Sequence, residues 1–299
     1  MKNPERDYLD TYSLMYSRNP LPYASVERIV DWALEGEVVA ITDTKQISEY
    51  FQRILEETDL DIDTHRILRT MLVFGDAYVL LLRDGDGNIK NMRHLDAKNV
   101  EIVLDENNIE KEFIVDYGTV RETYPAKEVM HFRWKKQPDN PYGFSLMRGL
   151  EPLVEREHKI MDEFMKAFHA QAEGKRVDFD SEGNLGMLKA IPYLFSKHTG
   201  VPIGLLTFKI ENELAHKLQM DDFEIKCQGL RDLLRNEIIE KVIKPETTRK
   251  GFQEIASIGW KRKSKITSED TEATIAELKL GLITPDEARK RLGLKEYYV

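Results

Sequence analysis

At Gly75 the hydrophobic pattern of the chain changes from a helical to an extended period. Before this residue, capping residues and apolar spacing predict three helices: Ser25 to Glu35, KQISEYFQRILEE after the capping pair Asp43 and Gln46, and about Asp63 to Gly75. Beyond it, five short segments rich in β-forming residues alternate with turn residues, namely AYVLLLR, NIKNMRHL, VEIVLD, KEFIVDYG and VMHFRW. The pattern predicts an α+β fold with an antiparallel β meander over residues 77 to 134.

The acidic run DGDGN, which begins at Asp84, could open a calcium loop, cradle a phosphate or form the tip of a hairpin. A calcium loop would need a glutamate at its twelfth position, where Leu95 stands. A dinucleotide-binding loop would need a third glycine in place of Lys90, and a helix after it instead of a strand. The run is therefore interpreted as a hairpin turn, whose Asp and Gly residues tolerate positive φ angles.

Two long helical stretches follow the strands. Apolar residues recur at helical spacing over residues 149 to 173 and again over about 211 to 242. The second stretch carries Leu214, Leu218, Phe223, Cys227, Leu230, Leu234 and Ile238. Residues 174 to 190 between them are rich in turn residues, and EIASIGWKRKSK after them is predicted to be a strand.

Two capping boxes predict helices near the C-terminus. Thr267 with Asp270 begins one that ends at Gly281, and Thr284 with Pro285 and Glu287 begins another that ends at Gly293.

Composition and charge exclude several classes of protein. The 299 residues are 41% hydrophobic and 32% charged, which is ordinary for a globular chain. The single cysteine, Cys227, excludes an intrachain disulfide and is predicted to be a buried apolar residue. No segment resembles a signal peptide or a membrane span, so we expect a soluble protein that is not secreted. The net charge is −9, with +4 over residues 241 to 299 and −13 over the rest, which argues against tight duplex binding as the main task.

No catalytic, cofactor or metal site is predicted. The glycine before Lys175 does not belong to a phosphate loop, and Ser145 lacks the second glycine of a nucleophile elbow. His158 and Asp162 are predicted to be a surface pair, and the basic run from Lys261 to Lys263 a solvated strand edge. Two rival hypotheses stay open: a metal-dependent nuclease or phosphodiesterase built on an acidic cluster, and a small binding module that uses the sheet and an exposed aromatic cluster.

Five segments, read in chain order, resemble the portal proteins of tailed double-stranded DNA viruses. They are FGDAYVLLLRDGDGNIKNMRHLDAKNVEIV, EVMHFRW, PYGFSLMRGLEPL, TGVPIGLL and GLITPDEARKRLGL. The matches extend over about residues 65 to 294. The chain is short for a portal, and its region between the two long helices is much reduced.

The resemblance implies a compact portal subunit with five regions: an α+β wing over residues 1–148, a stem helix over 149–173, a reduced clip and return segment over 174–210, a second long helix over 211–250, and a strand with C-terminal helices over 251–299. Portals of this family form rings, commonly dodecamers, at a capsid vertex. The ring is the channel for DNA packaging and ejection.

The resemblance also implies roles for residues of the stem helix. Ile160, Phe164 and Phe168 would pack between neighbouring subunits or onto the second long helix of the same subunit. Lys159, Glu163 and Lys166 are then candidates for the channel side. The implied partners are further copies of the chain, double-stranded DNA in transit, the large terminase ATPase, the major capsid protein and a head-tail adaptor. The implied location is the virion of a bacteriophage, archaeal virus or provirus, with assembly in the host cytoplasm and no membrane.

Overall fold

A computed structural model of the protein describes residues 6–136, 138, 140–173, 184–210 and 212–261, together with Thr274, Glu277 and Glu287. The chain divides into two compact units, Met1–Trp260 and Lys261–Val299. In the second unit, the three separate residues are helical, whereas the two predicted capping boxes as a whole lie outside the described residues.

Four helices form the N-terminal part: α1 (Leu9–Arg18), α2 (Pro20–Ala33), α3 (Lys45–Glu57) and α4 (Leu60–Phe74). Helix α2 begins at Pro20, whose fixed φ suits a first turn, so the predicted start at Ser25 is wrong and that serine is buried inside the helix. Helix α3 begins after Thr44 and is one residue shorter at its start than a cap at Asp43 would give. Helix α4 ends at Gly75, whose φ of +88° provides the left-handed cap that was predicted there.

The central region contains six strands, not five: β2 (Asp76–Arg83), β3 (Ile89–Leu95), β4 (Val100–Leu104), β5 (Glu110–Asp116), β6 (Arg121–Pro125) and β7 (Val129–Arg133). They form two antiparallel three-stranded sheets, with the orders β3-β2-β7 and β4-β5-β6. The expected single meander is therefore wrong in its topology, because β7 returns to pair with β2. Strand β6 was not predicted because its side chains are mostly polar and exposed.

A separate two-stranded sheet joins β1 (Glu37–Ile41) to β8 (Ser257–Lys261). Strand β8 coincides with the strand predicted at EIASIGWKRKSK. Strand β1 lies where only helices were expected, because a short strand whose partner is distant in the chain gives little local signal.

The rest of the described chain is helical: α5 (Glu151–Ala172), α6 (Asn184–Thr199), α7 (Ile203–Thr207), α8 (Glu213–Ile238), a π-helical turn (Ile239–Ile243) and α9 (Lys244–Lys250). Helix α8, the π turn and α9 follow one another without interruption. Helix α6 begins in a region read as turns, since Gly186 and the internal Pro192 weaken its helical pattern.

Two buried clusters hold these elements together. The larger joins α1 to α4, one face of β2 and β7, the start of α5, α6 and α8. The smaller lies between the two three-stranded sheets and contains Tyr78, Phe113 and Tyr142. Cys227 is buried in the larger cluster, as predicted. No helix in the described ranges combines the length and apolarity that crossing a membrane requires.

Candidate subunit interface

Ahead of α5, which begins at Glu151, the chain passes through a joint between two glycines, Gly75 and Gly143. The Gly143 amide donates to Asp76 Oδ1 at 2.9 Å, and the Trp134 amide donates to the Gly75 carbonyl oxygen at 2.9 Å. A Cβ on Gly75 would lie 2.7 Å from the carbonyl oxygen of Gly143, which is too close for any side chain. The end of α4, the start of β2 and the approach to α5 therefore meet backbone to backbone.

The residues on either side of Gly143 fasten this joint. The Tyr142 hydroxyl accepts from the Ile102 amide at 3.0 Å, which ties the joint to β4. Ser145 Oγ donates to the Val73 carbonyl oxygen at 2.5 Å and accepts from the Met147 amide at 2.9 Å. Ser145 is thus a turn residue with both hydrogen-bonding functions used. The segment PYGFSL positions the first turn of α5.

Beyond Ile160, the second half of α5 extends past the core of its own chain. Its apolar side chains there are 41 to 56% exposed: Met161, Phe164, Met165 and Phe168, which we call the α5 stripe. At roughly 100° per residue, these four lie on the same side of the helix as the buried Val154. The rings of Phe164 and Phe168 stack with centroids 6.5 Å apart. The side of α5 that packs on the core therefore continues as an exposed apolar surface.

The structure separates the three residues predicted to pack between subunits. Phe164 and Phe168 belong to the exposed α5 stripe. Ile160 is fully buried in the core of its own chain and is not available to a neighbouring subunit. Of the two alternatives given for Ile160, packing within its own subunit is the one that this burial fits, because at roughly 100° per residue Ile160 lies to one side of the α5 stripe, in the same buried cluster as Ile191 of α6.

The three residues predicted to face a channel lie on the side of α5 opposite the α5 stripe. Lys159, Glu163 and Lys166 are all exposed. The carboxylate of Glu163 accepts a hydrogen bond from Asn184 Nδ2 at 2.7 Å, which ties it to the start of α6. Their role in a channel stays a prediction.

A second apolar surface lies on α8. Leu214, Leu218 and Ile225, which we call the α8 stripe, are 70, 59 and 72% exposed. They project from the side opposite the buried Phe223, Cys227 and Leu230. Sequence reasoning grouped Leu214 and Leu218 with those buried residues. Their distinct angular position on the helix was the signal that could have separated them.

The two sheets and α8 meet at a buried histidine, His131 of β7. Its Nε2 donates to Asp76 Oδ1 at 2.8 Å and its Nδ1 donates to Glu110 Oε1 at 3.0 Å. The backbone amide of His131 donates to Glu237 Oε1 of α8 at 3.0 Å. This cluster, which we call the His131 clamp, connects β2, β5, β7 and α8.

The pKa values in the clamp favour a protonated ring. Burial alone would lower the pKa of His131, but the hydrogen bonds to Asp76 and Glu110 outweigh it and the pKa is raised. Burial likewise opposes ionisation of Glu110, yet the bond from His131 and the charge of Arg133 hold its pKa below the usual value. Burial raises the pKa of Glu237. The His131 clamp is a buried ion network in which His131 faces two carboxylates, and Arg133 adds a second cation 2.7 Å from Glu110.

The hypothesis of a metal-dependent nuclease or phosphodiesterase finds no metal site in the described ranges. No group of three or more His, Cys, Asp or Glu side chains there could hold a metal ion. In the hairpin turn, Asp84 Oδ1 accepts from the amides of Asp86 and Asn88 at 3.0 and 2.8 Å, and Gly87 has a φ of +81°. The hairpin interpretation of DGDGN is confirmed.

The exposed Tyr117 of the β5–β6 turn and the half-buried Tyr124 of β6 lie close to Arg93 of β3. The guanidinium of Arg93 lies 6.0 Å from the ring centroid of Tyr117 and 5.9 Å from that of Tyr124. Its Nη2 also donates to the Tyr124 hydroxyl at 2.6 Å. Two tyrosines that share one arginine form a small polar cluster, not an extended stacking platform.

Comparison with solved structures relates this fold to particle necks. No family model and no curated protein matches the chain by sequence. A chain in the neck of an empty gene transfer agent particle, computed with C6 symmetry, is 12% identical at a TM-score of 0.62, with 99% of this chain and 95% of that chain covered. The neck of the native particle, computed with C12 symmetry, gives 13% identity and a TM-score of 0.62, with 96% and 94% covered.

A crystal structure of an HK97 family phage portal protein from Corynebacterium diphtheriae matches at 12% identity and a TM-score of 0.44, with 81% of this chain and 92% of that chain covered. The α+β architecture and the agreement with the neck structures over nearly the whole chain confirm the expected fold class. At 12 to 13% identity, the neck structures show that this chain shares its fold with chains of the gene transfer agent neck over nearly the whole of both chains.

Proposed function

We propose that the protein is the subunit of a portal ring at a capsid vertex, the channel through which double-stranded DNA is packaged and ejected. Twelve copies are the proposed number, since the neck of the native gene transfer agent particle with this fold was computed with C12 symmetry. The proposal assigns the chain no catalytic activity.

The observation that carries the proposal is the α5 stripe. Four large apolar side chains on one side of α5 are exposed in the second half of the helix, beyond the part that packs on the core of its own chain. Contiguous exposed apolar surface of this kind marks an interaction site in a soluble protein. In a chain whose fold matches particle necks, covering by further copies of the same chain is the simplest way to bury it.

The charge of the chain suits a conduit for DNA. Each phosphate neutralised by a lysine or arginine adds salt-dependent affinity, which a moving duplex would have to break at every step. A channel built from subunits of net charge −9 would therefore bind the passing duplex only weakly. Lys159, Glu163 and Lys166 remain the proposed channel-side residues.

The proposed partners follow from the position of a portal. A large terminase ATPase would supply the packaging energy, since the sequence contains no phosphate-binding loop. The major capsid protein would surround the ring, and a head-tail adaptor would bind after packaging. The proposed location is the virion, with assembly in the host cytoplasm.

Mass photometry and negative-stain microscopy of the purified protein test the proposal. We expect a ring of about twelve times the 34.8 kDa of one chain, with a central hole of at least the width of a DNA duplex, about 20 Å. A protein that stays monomeric at high concentration, with no ring in any image, would contradict it.

A further inference from the structure

A cavity of about 460 Å³ lies where the two three-stranded sheets meet α8. Residues of β4, β5, β7, α8 and the π turn line it, together with described residues of the segment that follows β7. Its volume is within the range of about 300 to 1,000 Å³ that small-molecule sites occupy. Glu110 and Glu237 of the His131 clamp are among the lining residues, so the cavity adjoins that buried ion network.

Three cationic side chains line the cavity, and two of them are held in place. Arg133 Nη1 lies 2.7 Å from Glu110 Oε1, and Lys241 Nζ donates to the Ala126 carbonyl oxygen at 2.6 Å. Each has more N–H donors than these bonds use. The third cation, Lys136, is exposed, and no ion pair joins it to another residue in the described ranges. The cavity therefore has cationic donors that a ligand could reach.

The two carboxylates in the same lining do not balance these cations. Glu110 already has two cationic neighbours, His131 at 3.0 Å and Arg133 at 2.7 Å. Burial raises the pKa of Glu237, which disfavours its negative charge. The described lining thus has an excess of positive charge that a singly charged anion would neutralise.

The remaining walls of the cavity are mainly apolar, with Leu104, Ile109, Pro138 and Pro141. We infer that the cavity binds a small organic carboxylate, with its anionic group among Arg133, Lys136 and Lys241 and its apolar body against these walls. Small-molecule sites combine apolar walls with a few placed charges in this way. A phosphate, with a charge of about −2, would be repelled more strongly by Glu110 and Glu237, which favours the carboxylate. All the residues belong to one chain, so the site does not depend on the proposed ring.

Ligand-observed fluorine NMR with para-trifluoromethylbenzoate and the full chain tests this site. We expect saturable line broadening of the benzoate, and little broadening of the neutral para-trifluoromethylbenzamide. Lys136→Gln and Lys241→Gln should each weaken the affinity about tenfold, because each removes a charge-assisted hydrogen bond. Lys111→Gln is the matched control: this exposed lysine is next to Glu110 in β5 but does not line the cavity, so its removal should leave the affinity unchanged.

Circular dichroism checks the fold of each variant, and the exposed Lys136 provides a test that does not depend on the bond from Lys241 to Ala126. Equal affinities for the benzoate and the benzamide would show apolar adsorption only and overturn the inference. Native affinity in Lys136→Gln, or the same loss in Lys111→Gln, would also overturn it. Displacement of the benzoate by inorganic phosphate at a lower concentration than by acetate would reject the carboxylate as the ligand class. Absence of saturable binding at millimolar concentration would reject the site.

Discussion

Gly143 lies so close to Gly75 that a Cβ added to it would overlap the carbonyl oxygen of Gly75 and approach that of Trp134 to 2.7 Å. This contact is between backbones, so no side-chain rotation can relieve it. The joint sets where α5 leaves the sheets, and with it the direction of the α5 stripe. The segment from Gly143 to Ser145, which was compared with a nucleophile elbow, therefore serves to position α5.

Gly143→Ala is expected to destabilise the protein by about 3 kcal/mol or more, because the overlap with backbone atoms forces the joint apart. Gly229→Ala is the matched control: this glycine lies in α8 with no atom within 4 Å of an added Cβ. The control is expected to stabilise the helix by up to about 1 kcal/mol. Urea unfolding of both variants measures the difference. Equal effects of the two substitutions would contradict the close contact.

The sequence predicted those parts of the fold that depend on residues close to one another in the chain. The left-handed cap at Gly75, the hairpin at Asp84 and the exposed amphipathic face of α5 all depend on residues within one or two turns of each other. The same local pattern places Phe164 and Phe168 on the apolar side of α5, and their contact with a neighbouring subunit stays a prediction.

Long-range contacts determined what the sequence could not predict. Ile160 lies to one side of the α5 stripe and is buried because the larger core, with Ile191 of α6, extends that far along α5. The start of α3 lacks a side-chain cap of its own; instead Glu254 accepts hydrogen bonds from Thr42, Asp43 and Thr44, more than 200 residues away in the chain. The α8 stripe was hidden because an apolar pattern does not tell a core-facing leucine from an exposed one.

The hairpin turn is fastened to α9 through a buried glutamate. Glu246 is fully buried, and its carboxylate accepts from Arg83 at 2.6 Å, from Arg249 at 2.5 Å and from Tyr50 at 2.9 Å. Arg249 in turn donates to Asn88 Oδ1 at 2.7 Å. The DGDGN run thus contributes acceptors that hold α9, not ligands for a metal.

Glu246→Ala is expected to cost about 3 to 5 kcal/mol of stability, because it leaves Arg83 and Arg249 without their buried counter-charge. Glu240→Ala removes a glutamate whose side chain is 56% exposed and which pairs, within the described part of the chain, only with Lys244, so it should change the stability by no more than about 0.5 kcal/mol. Thermal unfolding of the two variants is the measurement. A large effect of Glu240→Ala, or a small one of Glu246→Ala, would contradict this assignment.

The His131 clamp predicts a stability that depends on pH. Because the pKa of His131 is raised in the folded protein, its contribution is complete below the unfolded value of about 6.5 and is lost as the pH rises through the folded value. His131→Gln leaves the buried Asp76 without the cation that it pairs with, while Glu110 keeps Arg133, so near pH 6 it should cost about 3 to 5 kcal/mol. The cost should shrink as the pH rises from 6 through the raised pKa of His131 in the folded protein. Urea unfolding across this range compares the two proteins, and a difference that does not vary with pH would rule out a protonated clamp.

Substitutions on the two opposite sides of α5 are expected to differ in their effect on ring assembly. Phe164→Asp places a charge in the α5 stripe and is expected to block ring assembly, because burying an unpaired carboxylate against apolar side chains is costly. Since Phe164 is 41% exposed in the single chain, the isolated subunit should keep its fold and most of its unfolding free energy. Lys166→Ala, on the opposite side of the helix, should leave the ring intact. Mass photometry reports the assembly, and circular dichroism reports the fold of each variant. Normal assembly of Phe164→Asp would show that the α5 stripe is not the contact between subunits.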